Sequence, residues 1–214
     1  MFKKRFSFID QALIEADKAL KTVFCNKIAA HTKSPSEGLK LPEMPPKNRR
    51  LSSALMRIDH AGEICAQALY RGQACTAKSK KIREHLRKSA DEEQDHLAWC
   101  QERLTQLHAH PSFLNPFWYT ASFTMGAITG LIGDAWSLGF VIETENQVET
   151  HLKDHLQKLP AEDKPSEAIL KQMLKDEVHH ANEAKKKGGK TLPTPVQWIM
   201  KFQSKVMTST AYYF

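Results

Sequence analysis

The chain has 214 residues, 41% of them hydrophobic, enough to bury one substantial core. Its 31 Lys and Arg against 24 Asp and Glu leave a formal charge of +7, which suits an anionic partner, either nucleic acid or the surface of an acidic bilayer. The four cysteines, Cys25, Cys65, Cys75 and Cys100, include no Cys-x-x-Cys pair; this argues against a disulfide framework and for reduced, buried thiols in a cytoplasmic setting, three of them within helices.

From Met1 to Lys21 the chain lacks the apolar core of a signal peptide, and Asp10, Glu15 and Asp17 make it a poor transit peptide. Phe6, Ile9, Leu13, Ala16 and Leu20 recur at helical spacing and predict a short amphipathic helix. Residues 32–47 carry four prolines and read as an exposed connector. The expected organisation is therefore a leader, residues 1–50, ahead of one domain, residues 51–214.

The first long helix is expected from Ser52 to Ala77, capped by Ser52 or Ser53, with Met56, Asp59, Glu63, Ala66 and Tyr70 along one face. Gly62 and Gly72 cost such a helix about 1 kcal/mol each, which close packing against a neighbour would explain. The basic turn Lys78–Lys81 leads into a second helix ending near His108, ahead of Pro111. Its apolar stripe, Ile82, Leu86, Ala90, Leu97, Cys100, Leu104 and Leu107, is interrupted by Glu93 and His96. A buried face holding an ionisable pair needs a counter-charge or a metal.

Residues 111–142 contain one charged residue, Asp134, in a run rich in large apolar side chains. Three readings stay open: a membrane span, a bundle helix resting a greasy face in a bilayer or forming a substrate entrance, and plain core burial. Gly126, Gly130, Gly133 and Gly139, with Asp134, count against the span. A third bundle helix is expected to continue from this run to Leu159, before Pro160. Periodicity rejects Glu143 on it but leaves Glu145 and Glu149 both on the buried face. Glu162–Lys187 forms a fourth helix, ended by Gly188-Gly189, with Lys185–Lys187 complementing its dipole. There Ile169, Met173 and Ala184 flank Glu177 and His180. Residues 196–214 suit an amphipathic helix that either lies in a membrane interface or packs on the bundle.

The chemistry lies in an internal echo. Asp91-Glu92-Glu93-Gln94-Asp95-His96 and Asp176-Glu177-Val178-His179-His180 each contain Glu-x-x-His, which a helix turns onto one face. Each pair has a further glutamate about thirty residues upstream: Glu63 for the first, Glu145 or Glu149 for the second. Two helices with one Glu and two with Glu-x-x-His form the ligand set of a dinuclear iron or manganese site in an all-α, ferritin-like four-helix bundle.

The segment Met56-Arg57-Ile58-Asp59-His60-Ala61-Gly62-Glu63, followed by Tyr70-Arg71-Gly72-Gln73, is similar to the demethoxyubiquinone hydroxylase family of ubiquinone biosynthesis. The likeness continues through Glu93-Gln94-Asp95-His96-Leu97, the glycine-rich segment 126–133, Glu145 to His151 and Asp176 to His180, covering most of residues 50–210. The leader resembles the bacterial branch. The resemblance implies a carboxylate-bridged di-iron site with ligands Glu63, Glu93, His96, Glu145, Glu177 and His180. It selects Glu145 over Glu149, because the family's third-helix glutamate lies six residues before a histidine, here His151. By analogy with the bundle class Glu93 and Glu177 would bridge the ions, and Asp176 would orient a histidine of the opposite pair. Thr150-His151 stands where many members have paired histidines, and Asp59 where many bacterial relatives have Asn.

The activity implied is hydroxylation of the ring of a polyprenylated demethoxyubiquinol by dioxygen, with two iron ions per chain and NADH as a reductant. Peripheral attachment to the cytoplasmic side of an anionic bacterial membrane would follow, as would a place in a ubiquinone-biosynthesis complex. No nucleic-acid role is expected: the lysines are scattered and no reader motif occurs. An iron store of the same fold and a non-catalytic quinone or lipid carrier are the competing readings. The first needs a hydrophilic cage, and the second gives no use for six ordered ligands.

Overall fold

In a computed structural model, residues 7–25 and 28–214 are described and form seven helices, with no strand among them. They are α1 (Phe8–Phe24), α2 (Pro46–Thr76), α3 (Lys80–Gln106), α4 (Asn115–Ile132), α5 (Asp134–Lys158), α6 (Lys164–Lys186) and α7 (Thr194–Tyr213). Helices α2, α3, α5 and α6 make a ferritin-like bundle of two hairpins, with α4 as the long crossover between them.

Local chemistry sets the boundaries. α2 begins six residues earlier than expected, because Pro46 at its first turn has the φ a helix needs and its missing N–H would be unpaired there anyway. Ser52 and Ser53 are therefore interior rather than caps, and the Ser53 hydroxyl donates back to the Arg49 carbonyl. In the turn between α2 and α3, the Lys78 and Ser79 N–H groups donate to the Asp134 carboxylate at 2.9 and 2.8 Å. Asp134 also places its charge on the first turn of α5, where the helix dipole favours an anion. Asp163 caps α6 by accepting from the Ser166 N–H at 3.1 Å, and the buried Arg103 of α3 donates to the same oxygen at 2.7 Å.

The run 111–142 does not continue as one helix. It breaks at Gly133, whose φ of +147° favours glycine, so the third bundle helix starts afresh at Asp134. No helix among the described residues is long and apolar enough to cross a membrane. α4 instead lies close against α2: a Cβ at Gly72 would overlap the Phe123 carbonyl oxygen, and one at Gly126 that of Leu69. Gly62 does not share this role, since nothing lies within 4 Å of where its Cβ would be.

The apolar stripe expected in the leader faces outward. Ile9, Leu13 and Leu20 are exposed, and α1 docks instead through Ala19, Thr22 and Val23; Phe6 lies outside the described residues. The connector is less exposed than expected, because the His31 and Thr32 N–H groups donate to Asp95 and Ser36 is buried. α7 rests on the bundle through Met200, Met207 and Ala211, yet leaves Trp198, Ile199 and Phe202 in the open. Of the four thiols only Cys100 is buried; Cys25 and Cys75 are exposed and Cys65 is intermediate.

Two apolar clusters flank the middle of the bundle on each of its four helices. One joins Met56, Leu104, Leu152 and Leu170, the other Tyr70, Leu86, Leu138 and Ala184. Full burial of a Leu or Met contributes roughly 1.5–3 kcal/mol, enough for the bundle to carry an unfavourable polar layer between the clusters. Glu63, Glu93, His96, Glu145, Glu177 and His180 lie in that layer.

Candidate metal centre

All six side chains converge. Donor atoms of Glu63, Glu93, His96 and Glu177 lie within 4.8 Å of one another, as do those of Glu93, Glu145, Glu177 and His180. Glu93 and Glu177 belong to both groups, so two positions for a cation share two carboxylates. His96 turns Nδ1 inward, 3.0 Å from Glu93 Oε2 and 3.3 Å from Glu177 Oε1. His180 does the same, with Nδ1 2.9 Å from Glu93 Oε1.

The outer nitrogens are held crosswise between the hairpins. His96 Nε2 lies 3.2 Å from Asp176 Oδ2 on α6, and His180 Nε2 lies 3.2 Å from Glu92 Oε2 on α3. Each carboxylate accepts from the Nε2–H and so holds its ring with Nδ1 toward the centre. The Tyr70 hydroxyl on α2 donates to Glu145 Oε1.

Electrostatically the cluster is unbalanced without a cation. Burial pushes the Glu63 carboxyl well above the usual range, with Glu93 and Glu177 adding to the shift against His96. Burial and the charge of Glu177 do the same to Glu145. Burial opposes a charged His96, but Asp176, Glu177, Glu63 and Glu93 outweigh it and raise the imidazole well above its ordinary value. Glu93 goes the other way, because His180 and His96 overcome the cost of its burial.

The donor set fits a pair of divalent cations. Glu63 Oε2, Glu93 Oε1, Glu145 Oε2, Glu177 Oε2 and His180 Nδ1 are buried and have no hydrogen-bond partner, a cost of about 1–3 kcal/mol for each atom left so. The 2.9 Å approach of His180 Nδ1 to Glu93 Oε1 is not aligned as a hydrogen bond. Four carboxylates neutralise two divalent ions, and oxygen with imidazole donors suits iron or manganese.

The remaining candidates fall elsewhere. Glu149, which periodicity could not separate from Glu145, pairs with Lys153 at 2.5 Å on the outside of α5. Glu143 accepts from Gln147. His151 turns toward α7, with Nε2 3.0 Å from Ser204 Oγ.

The scan against protein families matches residues 50–211 to the family described as ubiquinone biosynthesis protein COQ7. The chain belongs to the COQ7 family. A 3-demethoxyubiquinol 3-hydroxylase of Nitrosococcus oceani is 49% identical over 210 residues, covering 98% of both chains. Relatives of the same name from Francisella philomiragia and Nitrosomonas europaea are 52% identical over 211 residues and 50% over 207. They cover 99% and 96% of this chain, and 100% and 98% of their own.

Two features of this COQ7 chain escape a reading of the sequence. Glu92 was recoverable, since it precedes Glu93 as Asp176 precedes Glu177. The pairing of Asp59 with His155, with Oδ1 and Nδ1 2.7 Å apart, was not, because the residues are far apart in sequence and only the α2–α5 packing joins them. Burial disfavours a charged His155, but the charge of Asp59 and the hydrogen bond to it prevail and raise its pKa.

Proposed function

We propose that this chain is a di-iron monooxygenase that hydroxylates the ring of a polyprenylated demethoxyubiquinol, the reaction its relatives' name describes for them. One observation carries the reading. Glu63 belongs at once to the buried cluster and to the wall of a cavity between α2, α4, α5 and α7, where Ile58, Leu69, Phe140 and Met200 supply the lining. A ring entering that cavity meets the centre on the Glu63 side.

Glu63, Glu93, His96, Glu145, Glu177 and His180 would hold the iron, with Glu93 and Glu177 common to both donor groups. A bound ferrous pair supplies the electrons that activate dioxygen. The protein's part is positional: Asp176 and Glu92 orient the imidazoles, Tyr70 fixes Glu145, and the apolar lining excludes water from the reacting ring. NADH is the proposed source of reducing equivalents.

The substrate's tail accounts for the outside of the molecule. Phe117, Ile128, Leu131 and Ile132 of α4 and Trp198, Ile199 and Phe202 of α7 leave apolar surface exposed on two of the helices that frame the cavity. With a charge of +7, that surface seats the chain on the cytoplasmic side of an anionic bilayer, each well-placed Lys or Arg contributing about 1 kcal/mol. The test is to restore ubiquinone synthesis in cells blocked at this hydroxylation. The intact chain should restore it, with about two irons per chain after anaerobic loading, and Glu177→Ala should not. An iron-loaded, well-expressed intact chain that fails to restore synthesis removes the substrate assignment.

A further inference from the structure

The cavity wall is mostly apolar, and besides Glu63 of the buried cluster two of its polar groups are left unsatisfied. Asp59 stands one turn before Glu63 on α2 and is 6% exposed. Its Oδ1 is engaged by His155, itself buried on α5, while Oδ2 is buried with no partner. Trp118 of α4, also 6% exposed, has an indole N–H with no partner. Both residues line the cavity. An unpaired buried carboxylate oxygen and an unpaired buried N–H in one greasy wall are a cost with no structural return, unless a ligand supplies a donor to the first and an acceptor to the second.

We propose that Asp59 is the group that recognises the substrate's redox state: its free oxygen accepts a hydrogen bond from a ring hydroxyl, so the cavity takes the hydroquinone and rejects the benzoquinone. The inference rests on the hydroxylase reading of the same cavity. A carboxylate paired to an imidazole has acceptors to offer but no proton. A hydroquinone oxygen can donate to Asp59 and another ring oxygen can accept from Trp118. A benzoquinone has acceptors only; it satisfies Trp118 but turns a carbonyl lone pair toward Asp59. Sites built to bond a substrate hydroxyl reject the analogue lacking it more strongly than apolar pockets reject a missing methylene. His155 is a positioning residue, holding the carboxylate by one oxygen so that the other stays free.

The full-length chain loaded under argon with zinc, which neither ring form oxidises or reduces, permits a direct comparison. A short-tailed methoxy-methyl hydroquinone and the corresponding benzoquinone are titrated separately by equilibrium dialysis. The hydroquinone should bind at least about tenfold more tightly, the scale of a hydrogen bond to a charged group. Asp59→Asn, whose amide donates as well as accepts, should bring the ratio within about twofold, because only this discrimination depends on the missing donor. Trp118→Phe, which removes a donor both rings use, should weaken both by a similar factor and leave the ratio near that of the unsubstituted chain. A merely structural role for Asp59 would weaken both rings by the same factor in Asp59→Asn and leave the ratio fixed. Equal binding to the unsubstituted chain, or a ratio unchanged in Asp59→Asn, overturns the proposal while leaving the hydroxylase reading in place. No binding of either ring overturns both. Should Asp59→Asn fail to fold, Asp59→Ser, whose hydroxyl donates as well as accepts, decides: a ratio unchanged in it also overturns the proposal.

Discussion

The α2–α3 and α5–α6 hairpins contribute nearly the same set of groups. Glu63, Glu93 and His96 answer to Glu145, Glu177 and His180, and the acid preceding each shared glutamate reaches the other hairpin's histidine at 3.2 Å. They differ at the upstream glutamates. Each has a buried oxygen without a hydrogen-bond partner, but Glu145 is held at its other oxygen by the Tyr70 hydroxyl, whereas Glu63 forms part of the cavity wall. The donor groups are thus duplicated, while of the two upstream glutamates only Glu63 lines the apolar cavity.

The largest effect should come from removing the metal, which both halves share. Stripped of cations, the centre keeps four carboxylates and two imidazoles in a layer where each glutamate is at most 3% exposed. A cation held by the folded chain and not by the unfolded one stabilises the fold by its binding free energy, so the denaturation midpoint should fall on chelation and return with ferrous iron. An unchanged midpoint would mean that the cluster does not hold a cation in the folded chain. The pH dependence has a definite sign. Without metal, burial shifts the Glu63 and Glu145 carboxyls up, and the burial of His96 is outweighed by its four acidic neighbours, which shift it up as well, so all three bind protons more tightly than in the unfolded chain. Metal competes with those protons, so affinity should rise with pH, a linkage that calorimetry in buffers of different ionisation enthalpy measures.

Next in size are the crosswise acids. Asp176→Asn and Glu92→Gln each replace an anionic acceptor on an imidazole Nε2–H by a neutral amide and should each lower metal affinity about 10–100-fold. If the halves are equivalent in metal holding, the two losses should agree within about threefold, a comparison that competition against a chelator can make. A loss confined to one variant would show that the matched 3.2 Å contacts are not matched in strength.

Tyr70→Phe tests the asymmetry. It leaves Glu145 buried with one fewer donor, which should cost about 1–3 kcal/mol. Because nothing comparable holds Glu63, the variant should make the two hairpins more alike. Differential scanning calorimetry gives the loss, and hydrogen exchange should place it around α5 rather than along α3.

Much of this arrangement was legible in the sequence, for a physical reason. Helical ligand pairs are local, so Glu-x-x-His and its echo can be read without knowing how the helices pack. The bundle and its six candidates follow from spacing and from the family resemblance. What could not be read depended on packing or on a single backbone angle. The break at Gly133, the outward turn of the Ile9, Leu13 and Leu20 stripe, and the Asp59–His155 contact are of that kind. The two glycines of α2 illustrate the limit. Gly62 and Gly72 look alike in sequence, but only Gly72 meets the backbone of α4.

That pair yields the smallest expected effect. Gly62 immediately precedes Glu63, and its missing Cβ points into open space on the cavity side. Gly62→Ala should therefore raise stability, by up to about 1 kcal/mol from helix propensity alone, while the added methyl group narrows the cavity beside Glu63. Stability and KM should rise together, a combination that a packing defect would not produce. Gly72→Ala should do the reverse, since its methyl overlaps the Phe123 carbonyl oxygen and forces α4 away from α2. Urea denaturation and steady-state kinetics on the two variants then separate the glycine that keeps the cavity open from the one that brings the crossover helix against the bundle.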